Sequence, residues 1–299
     1  MKKKIDRRIF LKKSTGATFG AMVFPASILL PECSSHGSSS QNDNSGNSGI
    51  LSNINWKEMM KDHDLIWKKV PSDMTEAPHL GNGLLGSMIW IEKNKIRLQV
   101  FRTDVHDHAD DSYGWTAYSR PRYQIGYFLM KSKGEIISCD LRLDIFNAEL
   151  TGRIITTLGS LKIEHFVHRK DDIIYTGIES EGGEELAVWD WHPFEAKGSR
   201  GGKPYDKVYG QTYAPYKGLI NPGHRIVKHK DIFTGIQDLT AGGDYATAWK
   251  EDRTAKNSTS LLITIQNSYP RKTSASDAVD VIDNAQKKIG TSIKKWKGE

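Results

Sequence analysis

The sequence predicts an all-β protein: a large antiparallel β-sandwich with a short N-terminal helix and a helix at the close. Three observations predict it. At least ten alternating or apolar stretches of strand length lie between Leu84 and Gln266. Polar turn residues separate most of them. The connections lack the helical periodicity that a doubly wound sheet would need. With 299 residues, 37% hydrophobic and 26% charged, the composition is that of an ordinary globular chain.

Residues 1–33 read as an export signal of twin-arginine type. Arg7 and Arg8 stand in DRRIFLK, and a weakly apolar run from Ala17 to Leu30 follows, interrupted by Gly20, Pro25 and Ser27. That run is too short and too mixed to span a bilayer, and the order of basic, apolar and small polar segments is that of a removable signal. The expected location is therefore the periplasm or cell surface. Cys33 is a candidate lipid-anchor site, although Glu32 stands where such a site normally carries a small residue. The formal net charge of +6 is all carried by the first 13 residues, so residues 14–299 are neutral overall. A nucleic-acid partner needs a basic face on the folded body, and none is expected.

Residues 34–52 form a Ser/Gly/Asn linker that cannot bury apolar area. With Cys33 in the signal, Cys139 has no intramolecular partner and reads as a buried small hydrophobe. The sandwich domain is expected over residues 53–272. Asn55, three residues before Glu58, caps a short helix. Leu84–Ile91 and Ile96–Phe101 flank EKNK as a hairpin. Further strands are expected at Tyr123–Met130, Ile136–Leu143, Ala148–Thr157, Leu161–His168, Ile173–Ser180, Leu186–Trp191, His224–Lys228, Ile232–Gln237, Tyr245–Lys250 and Ser260–Gln266. Turn residues SKGE, LGS, RKDD and EGGE separate several of them. In Leu161–Val167 the odd-numbered residues Leu161, Ile163, His165 and Val167 fall on one face, the period a half-buried strand requires. Residues 194–223 read as a long surface loop.

Residues 273–299 change period. Ala278, Val281, Ile282, Ala285, Ile289, Ile293 and Trp296 recur at steps of three and four, with Ser274 and Asp277 as a capping pair and the lysines late. A continuous helix of about six turns is expected. Its apolar stripe needs a cover, either the sandwich or another domain.

Three stretches, HDLIWKKVP at 63–71, EAPHLGNGLLGSMIW at 76–90 and IQDLTAGGDYATAW at 236–249, resemble the N-terminal sandwich domain of exported glycoside hydrolases related to family 95. They are most similar to relatives grouped as domain of unknown function 5703. The resemblance covers roughly residues 53–299. It implies a sandwich followed by a linker helix, here 273–299, and then a helical (α/α)6 toroid that carries the catalytic acid and base and is absent from this sequence. On that basis the expected role is an accessory domain with little hydrolase activity of its own, lending loops to an oligo- or polysaccharide pocket.

The candidate substrate-binding residues are Asn82, Asp104, His106, Trp115, Trp191 and His192. Asn82 lies in a Gly-rich turn where glycines permit positive φ, so a turn role competes with a sugar contact. Asp104, His106, Asp107, His108, Asp110 and Asp111 are the densest ligand-like cluster. Without a second His pair they read better as a sugar-contacting loop, with Trp115 and Arg120 adding a stacking ring and a donor fork, than as a metal site. No metal or cofactor is expected. In WDWHP, alternation puts Trp189 and Trp191 on one face, Trp189 toward the core and Trp191 toward a rim, and Asp190 and His192 on the other. Asp244 in GGD reads as bonding its own backbone. Glycosidic hydrolysis generally uses two carboxylates about 5–9.5 Å apart, and the sequence does not say which two converge. Two alternatives stay open: a stand-alone carbohydrate-binding sandwich with the helix folded back on itself, and a catalytic sandwich using His165, His168 or His192 with a carboxylate.

Overall fold

The computed structural model describes residues 54–106, 108, 122–197, 220–290 and 293–297. The expected export signal and the 34–52 linker lie outside them. So do Asp107, Asp110, Asp111, Trp115, Arg120 and most of the 194–223 loop. No helix among the described residues is long and apolar enough to cross a membrane.

The protein is an all-β sandwich of two antiparallel sheets. In chain order the elements are α1 (Trp56–Lys61), β1 (Leu65–Trp67), β2 (His79–Gly81), β3 (Leu85–Glu92), β4 (Lys95–Arg102), β5 (Gly126–Lys131), β6 (Ile136–Asp144), β7 (Glu149–Thr156), β8 (Gly159–Val167), β9 (Ile174–Gly182), β10 (Asp190–Pro193), β11 (Arg225–His229), β12 (Ile232–Asp238), β13 (Asp244–Ala255), β14 (Ser258–Asn267), α2 (Ser274–Ile289) and α3 (Ile293–Lys297). The larger sheet has the order β1-β6-β7-β8-β9-β14-β13-β12-β11, and the smaller β10-β5-β4-β3-β2. The larger sheet therefore consists of two meanders, β6–β9 and β11–β14, joined where β9 pairs with β14.

Local chemistry accounts for the elements. The side chain of Asn55 accepts from the Glu58 amide at 3.2 Å, capping α1 as expected. Lys93 and Asn94 both take positive φ, 46° and 63°, the geometry of a two-residue hairpin turn between β3 and β4. The Asn94 side chain then donates to Gly134 O and accepts from the Ile136 amide, tying that hairpin to the next turn. On β8, Leu161, Ile163, His165 and Val167 point into the space between the sheets, as their alternation predicts. Opposite them lie Leu85 and Ile89 of β3, Ile96, Leu98 and Val100 of β4, and Phe128 and Met130 of β5. Cys139 is buried in this core, and burial pushes its thiol up to about 11.

One polar tie crosses the core. His165 Nε2 lies 2.7 Å from Ser87 Oγ on β3, and its Nδ1 lies 2.8 Å from Thr176 Oγ1 on β9. All three residues are buried, and burial depresses the imidazole to about 3. A neutral ring that uses both nitrogens is the form that fits such a site.

The outer face of the larger sheet is divided. Over β12–β14 it is apolar and lies under α2. Ala278, Ile282 and Ala285 pack there on Ile232, Ile236, Ala246, Ala248 and Leu262. Alanines on both surfaces let helix and sheet approach closely. The apolar stripe of α2 is thus covered by the chain's own sheet. Over β6–β9 the same face carries the charge pairs Arg153–Glu181 and Lys162–Glu179, with Phe166 and Tyr175 buried at the end near Trp296.

Several expectations need correction. The closing helix is not continuous. α2 ends at Ile289, with Gly290 as its C-cap bonding Gln286 O through its amide, and α3 is a separate short element. Trp296 of α3 lies against the β8–β9 connection. There its ring stacks on His168 at 4.4 Å, its indole donates to Asp171 at 2.6 Å, and its carbonyl oxygen lies 2.9 Å from His168 Nε2. The N-cap of α2 is Thr273, not Ser274. Asp244 does not bond its own turn. It receives Ser268 Oγ at 2.5 Å and the Ser274 amide at 3.3 Å, which puts a carboxylate at the start of α2. Residues 186–189 are not part of a strand: β10 begins at Asp190. The three-residue edge strands β1 and β2 are additional to the expected set.

Candidate functional site

The smaller sheet ends at β10 and the larger at β11, and between these two edges the sandwich opens sideways into a cleft of ≈ 470 Å³. Inward-facing positions build its walls. On β13, Trp249 and Glu251 are two apart and face the same way. Phe233 of β12 is directly across from Trp249 in register, with the rings 5.5 Å apart and nearly parallel. From the opposite side come Trp191 of β10 and Trp189 in the segment just before it. Asp190, Asp231 and Arg253 complete the lining, with Val188 and Ile226 as exposed apolar lips.

Two glycines make room for Trp191. A Cβ on Gly126 would stand 2.4 Å from the Trp191 ring, and one on Gly235 would stand 3.0 Å from its Nε1 and 2.5 Å from His224 Nε2. In this slot Trp191 tilts against Phe128 and Trp249, and its indole donates to His224 Nε2 at 3.3 Å. Burial, with help from Arg225, holds His224 below its usual value, which keeps Nε2 free to accept. Glu251 accepts from the Trp189 amide and from Thr259 Oγ1, both at 3.1 Å. Burial raises its carboxyl above the ordinary range in spite of those bonds. The Trp189 indole N–H is buried and has no acceptor among the described residues.

The sequence-predicted residues do not assemble into one site. Trp191 lines the cleft, but as a buried wall rather than a rim, because both sheets grip it. His192 faces outward from β10, stacked on Tyr127 at 5.0 Å, with Nε2 2.9 Å from the Asp190 carboxylate. Asn82 uses its whole amide within the protein. It accepts from the Leu84 and Leu85 amides and donates to His168 O and Asp172, fastening the β2–β3 turn to the β8–β9 turn. Asp104 forms a two-pronged pair with Arg102, whose third nitrogen donates to Ile265 O. His106 makes a bridge with Arg122, and His108 stacks on Tyr269 at 3.6 Å. Among the described residues no group of three His, Cys, Asp or Glu side chains is placed to hold a metal. Trp115 lies outside the described residues.

Of the three histidines weighed for catalysis, His165 is sealed between the sheets, with the Ser87 and Thr176 hydroxyls as its side-chain partners. His168 is buried under Trp296 with Asp171 at 3.5 Å. His192 alone combines a neighbouring carboxylate with partial exposure.

Sequence reasoning missed a carboxylate pair on the outer face of the larger sheet. Glu149 and Glu164 flank Lys297, at 2.8 and 2.9 Å from its ammonium, beside a cavity of ≈ 630 Å³. Burial raises Glu149 in spite of the lysine, and the two carboxylates keep Lys297 charged in spite of its own burial. The lysine fills the space between the acids, so this cluster is a clasp for α3. The cavity beside it is walled largely by residues already ion-paired, Arg142 with Asp64 and Arg153 with Glu181 among them. The lateral cleft combines aromatic walls with a carboxyl of raised pKa, features of a ligand site.

Fold and cleft together define an all-β sandwich protein with an aromatic, acid-lined opening at one edge. No family model matches the sequence, and no curated protein matches it. Among solved structures the chain is similar to a putative kojibiose phosphorylase from human microbiome, at 12% identity and a TM-score of 0.42, over 74% of this chain and 31% of that one. This chain therefore spans about a third of that protein's length.

Proposed function

We propose that the chain is an exported accessory module of a glycoside-hydrolase-like protein, a β-sandwich that holds carbohydrate in its lateral cleft. The cleft carries this reading: four aromatic rings share it with the carboxyl groups of Asp231 and Glu251 and the Arg253 guanidinium. The C–H faces of a pyranose lie well against aromatic rings, while its hydroxyls need side chains that donate and accept. The resemblance of residues 63–71, 76–90 and 236–249 to the sandwich domains of family 95-related hydrolases supports the carbohydrate class. It also assigns the reacting carboxylates to a helical toroid partner.

Three of the eight tryptophans line the cleft, so binding is expected to change intrinsic fluorescence. Titrating the full chain with a panel of neutral, amino and acidic oligosaccharides should give a saturable change with at least one of them and no release of reducing ends. A panel that leaves both fluorescence and calorimetric heat unchanged rejects the proposal.

One observation favours the second reading, a stand-alone carbohydrate-binding sandwich. The apolar stripe of α2 is already covered, so the sandwich needs no further domain to bury it. A soluble monomer in sedimentation that binds glycan by itself supports that version. Association through the α2 face supports the linker version.

The export part rests on Arg7 and Arg8. Replacing both with lysine is expected to retain the precursor inside the cell. Equal recovery of the double variant from the exported fraction would remove the twin-arginine assignment.

A further inference from the structure

We infer that the cleft prefers a sugar carrying an anionic group, a carboxylate or a sulfate ester, over its neutral counterpart. Arg253 and Lys228 are the cations that meet it. The inference rests on the carbohydrate reading above and adds the class of sugar.

The charges around the cleft sort by partner. Of the acids in the lining, Asp190 turns its carboxylate to the outward-facing His192, and Asp231 pairs with Lys250. Glu251 is held in the wall, one oxygen by the Trp189 amide and the other by the Thr259 hydroxyl. Arg253 stands differently. It lies on the same face of β13 as Trp249 and Glu251, lines the cleft and is exposed to solvent. One guanidinium nitrogen donates to Leu186 O at 2.9 Å. No carboxylate among the described residues is within ion-pair distance of Arg253, so the rest of its donor fork stays open.

Sheet register adds a second cation. Lys228 of β11 is directly across from Phe233 of β12, so the two side chains share a face. Ile226, two residues earlier on β11, lines the cleft from that same face. The Lys228 ammonium stands 4.5 Å from the centroid of the Phe233 ring. It too lacks a carboxylate partner among the described residues, because Asp231 at the β11–β12 turn is taken by Lys250. Two unpaired cations thus stand against the one carboxyl of Glu251. A guanidinium fork matches the paired oxygens of a carboxylate or a sulfate, whereas a neutral sugar leaves both cations without a counter-charge.

The test uses the full chain and matched methyl pyranosides of the gluco, galacto and manno series. Each is offered neutral, as the C6 carboxylate and as the C6 sulfate, with binding read by calorimetry and saturation-transfer NMR at low ionic strength. An anionic member is expected to bind about fivefold or more tighter than its neutral parent. The two anionic arms distinguish a uronate from a sulfated sugar, and a preference for either supports the inference. Lys228→Gln and Arg253→Gln should each narrow the ratio, with thermal melts to establish that the variants are folded. Arg253→Gln also loses the bond to Leu186; if it does not fold, Lys228→Gln at its exposed position decides. A preference that survives the substitutions overturns the role of these cations. Neutral parents that bind as well as every anionic form overturn the preference and leave the sugar reading intact. Silence from every sugar, neutral and anionic, removes both.

Discussion

Placing a charge under the closing helix is expected to unfold the sandwich. Ile282 sits at the centre of the second core with no exposed surface, between α2 and β12–β14. Ile282→Asp loses the burial of a branched side chain and leaves a carboxylate without a partner. The first effect alone is worth roughly 2–5 kcal/mol, and an unpaired buried charge adds several more. Domains of this size are stable by about 5–15 kcal/mol, so the variant should be largely unfolded or recovered as aggregate. Asn284→Asp puts the same charge on the exposed face of α2 and should shift stability by less than about 0.5 kcal/mol. Urea denaturation of the two variants beside the wild type measures the contrast. Equal midpoints would show that α2 does not dock on its own sheet in solution.

The second large effect is on acid stability, through His165. Its imidazole titrates near 6.5 in an unfolded chain and is held at about 3 in the fold by burial. Above pH 6.5 both states are neutral and the group has no effect. Below that value the unfolded state takes a proton that the native state refuses, so stability falls as pH falls. The slope approaches 1.4 kcal/mol per pH unit, giving a loss of roughly 2 kcal/mol between pH 6.5 and 4.5. His224, also depressed by burial, acts in the same direction. Glu149 and Glu251, raised by burial, act against it toward the acid end. His165→Gln isolates the one residue. The variant should be less stable than wild type at pH 8, where the tie to Ser87 and Thr176 is weakened. Its stability should then decline more gently over pH 6.5–4.5. Parallel curves for the two proteins would mean that the buried ring is not what makes the fold sensitive to acid.

Much of the architecture was legible because its signals are local. The alternation of Leu161–Val167 and the EKNK turn each required a single conformation, and both took it. The short edge strands were not legible, since three residues show no period. The end of the long helix at Ile289 is not legible in the sequence, because the apolar steps run on through Ile293 to Trp296 and periodicity says nothing about continuity. Residues 186–189 look like strand, but Val188 and Trp189 line the cleft and the Trp189 amide bonds the side chain of Glu251.

The candidate site was legible only in fragments. WDWHP pointed to Trp191, but its partners Phe233, Trp249 and Glu251 come from the other sheet. Which strands lie opposite β10 is decided by sheet order, which no local pattern encodes. The Glu149–Glu164 clasp was within reach. Once the LGS turn sets the β7–β8 register, Thr151 faces Glu164 and Glu149 faces Phe166, so the two acids are diagonal neighbours on one face. Asn82 and Asp104 illustrate the opposite error. Polar residues in loops drew attention as ligands, whereas their hydrogen bonds hold turns together.

The join between the two meanders bears on how the molecule assembles. Each four-stranded half zips through neighbouring turns. Pairing β9 with β14, by contrast, brings residues 174–179 onto 258–263 and carries the loop-closure entropy of everything between them, so it is expected to be the slow event. The closing helices straddle that joint like a bolt, with α2 over β12–β14 and α3 fastened to β7, β8 and the turn that follows. Contacts made after the barrier slow its reversal without hastening its crossing. If the helices dock after that seam closes, the bolt is expected to set the lifetime of the assembled sandwich and the seam its rate of formation.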